Sequence, residues 1–114
     1  MKQCLRKIGM TEIQQTNVGV ANFIAGELHK ELPFDLVLDP GETGALYEIA
    51  VDMRHLNSDF VEWVIKVTKS RKVDGTGIII RVQKHFVHPL YNMLALYINK
   101  HDQYGVVKAL GEVS

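Results

Sequence analysis

The sequence predicts a small α+β fold in which helices pack on an antiparallel sheet. Three observations carry that expectation. Phe34 to Asp39 sets Phe34, Leu36 and Leu38 on one face against Asp35, Val37 and Asp39 on the other, as a strand with one buried face does. Residues 57–71 and 89–100 repeat apolar residues at helical spacing. Ile78 to Gln83 is a β-branched run suited to a buried strand. The chain has 114 residues, enough for one domain covering 1–114 and short for two.

The elements follow in chain order. Lys2 to Ile8 reads as a short strand, with Cys4, Arg6 and Ile8 alternating against Leu5 and Lys7. Thr11 with Gln14 fits a capping box, opening a helix that runs to about Leu32 and is stopped by Pro33. Ile13, Val20, Ile24, Leu28 and Leu32 recur along its apolar side. Gly19 and Gly26 lie on the other side, where close approach of a second backbone would explain them.

Phe34, Leu36 and Leu38 then share one face of a strand. The composition of 39–44 reads as a turn, with Pro40 and Gly41 suited to type II. Tyr47, Ile49, Val51 and Met53 alternate after it, so the segment predicts a β-hairpin. Asn57 or Ser58 caps the next helix, to about Arg71, whose apolar residues cover an unusually wide arc. Glu62 and Lys66 on its polar side are spaced for an ion pair.

Residues 74–77 form a glycine loop before the strand at 78–83, and His88 with Pro89 opens a last helix. Tyr104 to Leu110 is a strand or a final helical turn. If the first strand forms, the first six elements have the ferredoxin-like βαββαβ order, followed by a C-terminal helix.

That last helix is apolar nearly all round. Leu90, Leu94, Tyr97 and Ile98 face the core at about 100° per residue, which puts Met93 and Leu96 on the opposite side. A helix of this kind needs cover on more than one side, and a partner surface is the natural source.

Composition narrows the classes. A hydrophobic content of 46% with 23% charged residues describes a globular chain rather than a disordered one. No apolar run approaches the ~20 residues that cross a bilayer, so no membrane partner is expected. One cysteine, Cys4, precludes an internal disulfide and suggests a reducing, cytoplasmic setting. The net charge of zero hides segregation: residues 31–62 set Arg54 against eight acids, and residues 63–100 set seven basic groups against Asp74.

The sequence holds residues suited to several kinds of chemistry. His85 and His88 are weak metal candidates, with His29, His55, His101 or Asp52 as a third ligand. Glu48 and Asp52, with Asp35 on the neighbouring strand, could form a carboxylate cluster, though a solvated sheet face suffices to explain them. Neither glycine loop has the spacing of a phosphate cradle. Lys66, Lys69, Arg71, Lys72, Arg81 and Lys84 could instead hold phosphates, with Phe86 or Tyr91 for stacking.

The expectation is a non-catalytic regulator or inhibitor that binds a protein partner, or itself as a homodimer, through Met93, Leu96, Tyr97 and Trp63, with no cofactor. A nucleic-acid-binding module using the basic strip is second. A small enzyme or metal protein using His85 and His88 is third.

Overall fold

The computed structural model describes residues 12–101, omitting the side chains of 12–15 and 72–74. The strand expected at 2–8, the turn or strand at 104–110 and the Thr11 cap lie outside the described residues. Within them run α1 (Glu12–Glu27), β1 (Phe34–Leu38), α2 (Pro40–Asp52), a 3-10 turn (Arg54–Leu56), α3 (Asp59–Asp74), β2 (Ile78–Val82) and α4 (Lys84–His101). The class is α+β and rich in helix. The described sheet has two strands, β1 and β2, antiparallel, with Phe34 opposite Val82 and Leu38 opposite Ile78. The ferredoxin-like arrangement is not seen among these residues.

The expected hairpin is the main correction. Residues 40–52 form a helix, because the supposed turn is a helix start. The Asp39 carboxylate accepts from the Glu42 amide at 2.7 Å, and Glu42 accepts in return from the Asp39 amide at 2.9 Å. Pro40 occupies the first helical position, where its missing N–H costs nothing. Thr43, Leu46, Ile49, Ala50 and Met53 are then buried at helical spacing, and the period-two pattern of Tyr47 to Met53 is incidental.

Other boundaries move less. After Glu27, α1 gives way to i→i+3 bonds from His29 to Gly26 and from Lys30 to Glu27, so the helix ends short of Leu32. A Cβ added at Gly19 or Gly26 would meet no described neighbour within 4 Å, so no described backbone approaches these glycines closely. Of the two capping candidates for α3, Ser58 fills the role: its hydroxyl accepts from Phe60 and Val61, while Asn57 takes a left-handed turn. Glu62 does not pair with Lys66. Arg54 reaches it instead, as a fork at 3.0 and 3.1 Å. Pro89 lies inside α4, which already begins at Lys84.

The core sits between the sheet and the helices. Val18, Ala21 and Ile24 of α1 meet Leu90, Met93, Leu94 and Tyr97 of α4, and α2 packs on both α3 and α1. Leu36, Leu38, Ile80 and Val82 close it from the sheet. β2 is half-buried rather than fully buried: Ile80 and Val82 point in, and Ile79 is 66% exposed. Ile79 stands directly opposite Val37, so the outer sheet face carries an apolar pair beside the Asp35–Arg81 pair.

Candidate functional site

An open groove of about 620 Å³ lies between α3 and β2. One wall is a stripe along α3, formed by Trp63, Lys66, Val67, Ser70 and Arg71. These positions recur at three and four residues, so they share one helix face. The other wall is β2 from Ile78 to Arg81, and Phe86 at the start of α4 closes one end. The loop at 75–77 joins α3 to β2. Gly77 is required there, because a Cβ at that position would collide with the carbonyl oxygen of Leu38.

The closed end is aromatic. Trp63 and Phe86 lie 5.3 Å apart between ring centroids, Phe60 meets Phe86 edge-on at 5.6 Å, and His85 meets Phe86 at 5.0 Å. Such rings hold one another in place and leave the exposed Trp63 as a fixed apolar anchor. The rim is basic, with Lys66, Arg71 and Arg81, and no acidic residue lines the groove among the described residues. Arg81 donates to Asp35 across the sheet at 3.2 Å, an exposed pair of small energetic weight.

A second cluster joins α1, α2 and α4. Asn17, buried, donates to Glu48 at 3.1 Å and hydrogen-bonds the Tyr97 side chain. His101 and Lys100 contact Asp52 at 2.7 and 3.2 Å, and the Tyr97 and His101 rings lie 4.4 Å apart. Burial pushes Asp52 up, but the hydrogen bonds from His101 and Lys100 and their charges outweigh it and hold the carboxyl below its usual value. Burial raises the Tyr97 phenol, with the Asp52 and Glu48 charges adding to the effect against the Asn17 hydrogen bond. Both shifts move these groups away from neutrality, which suits a structural network better than a poised acid or base.

The residues singled out from sequence are now dispersed. Met93 is 1% exposed and Tyr97 equally enclosed, both inside the core of this chain rather than on an outer face. Leu90, Leu94 and Tyr97 are buried on the expected side of α4, and the buried arc is wider than expected, so it takes in Met93 as well. Leu96, 38% exposed, and Trp63 remain on the surface. Lys66, Arg71 and Arg81 come together at the groove, whereas Lys69 and Lys84 are exposed outside its lining and the Lys72 side chain is not described.

His85 and His88 are exposed on the first turns of α4, and no third His, Cys, Asp or Glu joins them among the described residues. Asp35 is on the sheet with Arg81, away from Glu48 and Asp52, which share a helix face instead of a strand face. Sequence reasoning missed the groove as a unit. Its trace was the mixed apolar and basic stripe on α3.

No family model, no curated protein and no solved structure matches this chain. No described helix is long and apolar enough to cross a membrane.

Proposed function

We propose that the protein is a non-catalytic protein-binding module, a regulator or inhibitor that works by occluding or bridging a partner, with the groove between α3 and β2 as its docking site. The observation that carries this reading is the Trp63–Phe86 anchor set in a concave surface with a basic rim. Aromatic residues held in a pocket concentrate binding energy, and charged rims select and orient partners. The reading shifts the binding surface from the α4 face to the groove, because Met93 and Tyr97 are already covered by this chain. Homodimerisation through the exposed Leu96 is not needed for it.

A nucleic-acid reading draws on the same Lys66, Arg71 and Arg81, with Trp63 for stacking. Against it stand the zero net charge and the dispersal of Lys69 and Lys84 away from the groove.

Affinity capture with the tagged full chain decides between them, run with and without nuclease beside the Trp63→Ser variant. A protein retained after nuclease and lost with Trp63→Ser is the expected result. Capture that survives Trp63→Ser would move the site elsewhere, and capture abolished by nuclease would favour the basic strip.

A further inference from the structure

We infer that the groove takes an extended, acidic segment of a partner protein, which adds to the second edge of β2 as a third strand. The inference rests on the docking reading above and names the chemistry of the partner. Among the described residues β2 pairs with β1 alone, so no described strand covers its other edge, and an edge of this kind presents N–H and C=O groups to an added strand. That edge forms one wall of the groove, and α3 forms the other. An extended peptide can therefore hydrogen-bond to β2 while its side chains are read by the helix, which is how strand addition combines affinity with specificity.

The pleat gives the pattern. Side chains of an added strand alternate between two faces. Those turned inward meet Val67, Trp63 and Phe86, and select apolar residues. Charged ones meet Lys66, Arg71 and Arg81, and of these only Arg81 has an acidic partner among the described residues. The matching segment alternates apolar and acidic residues and spans the five of β2, about 16 Å at 3.3 Å per residue. Single-stranded nucleic acid brings the negative charge but no peptide backbone with amides at strand spacing to pair with the edge.

The test titrates the isotope-labelled full chain with a short capped peptide of alternating glutamate and valine. Its controls are the same peptide N-methylated at alternate amides, a lysine–valine counterpart and oligo-dT. The expected result is amide shifts and slowed exchange at Ile78–Val82, with shifts of the Trp63 indole. Binding should fall at least tenfold with Arg71→Glu and Lys66→Glu, and be lost with the N-methylated and lysine peptides. Absence of groove binding by the acidic peptide, or equal binding after N-methylation, overturns strand addition. Trp63-dependent capture of a protein would still stand in that case, so the two failures are separable.

Groove binding by oligo-dT without the acidic peptide overturns both readings. Protection, before any peptide is added, of the β2 amides that point away from β1 also overturns the inference. If it rises with protein concentration the occupant is a second copy, and if not it is the chain's own terminus.

Discussion

Asp39 and Glu42 cap each other, each side chain accepting from the other's backbone amide at 2.7 and 2.9 Å. This reciprocal pair turns the chain out of β1 and into α2, so the segment after the strand leaves the sheet. Asp39→Ala should lower stability by about 1 kcal/mol, within a range of roughly 0.5–2. Chemical denaturation reads the loss, and an unchanged midpoint would mean that the cap does not hold the helix start.

Met93 and Leu96 lie three residues apart on α4 and should respond in opposite ways. Met93 is enclosed by the core, so Met93→Ala should cost about 2–5 kcal/mol, and Met93→Asp should prevent folding. Leu96→Asp, at an exposed position, should change stability by less than about 1 kcal/mol. Thermal melts of the variants make the comparison, and equal losses would place α4 in another register.

Asp52 links the end of α2 to the end of α4. Its carboxyl is held below the usual value, so the folded state releases this proton more readily than the unfolded one. Stability from the contact is therefore complete above the ordinary carboxylate pKa of about 4 and is lost as pH falls through the lower folded value. The site is partly exposed, so the contribution is about 1 kcal/mol or less. His101→Ala should remove part of it at pH 6, and the gap from the native chain should close at a pH low enough to protonate the carboxyl in both. A gap unchanged down to that pH would mean that His101 acts by packing on Tyr97 alone.

Gly26 sits in the last turn of α1 with open space where a side chain would project. Gly26→Ala should stabilise the protein by up to about 1 kcal/mol, since alanine loses less backbone freedom on entering a helix. A rise in Tm confirms this, and a fall would reveal a neighbour packed against that face.

The helix pattern of α3 and the alternation of β1 were legible because each had one dominant period. Residues 45–53 had two. Tyr47, Ile49, Val51 and Met53 alternate, while Leu46, Ile49, Ala50 and Met53 recur at helical spacing. The deciding cue was the Asp-Pro-Gly-Glu start, in which proline and glycine also resemble a turn. In α4 the helix and the core side of Leu90, Leu94 and Tyr97 were legible, but the burial of Met93 was not. His88, Asn92 and Asn99 mark its outer side, whereas Met93 lies at the edge of the apolar arc, where spacing alone leaves its burial open. The groove was hidden for another reason: its two walls are separate elements, and the free edge of β2 depends on which strands pair with it.

Hydrogen exchange on the full chain, alone and bound to its captured protein partner, decides whether the groove is the docking surface. Exchange should slow along Trp63 to Arg71, at Ile78 to Val82 and at Phe86, with α2 unchanged. Protection centred on Leu96 of α4, with the groove unaffected, would contradict the assignment.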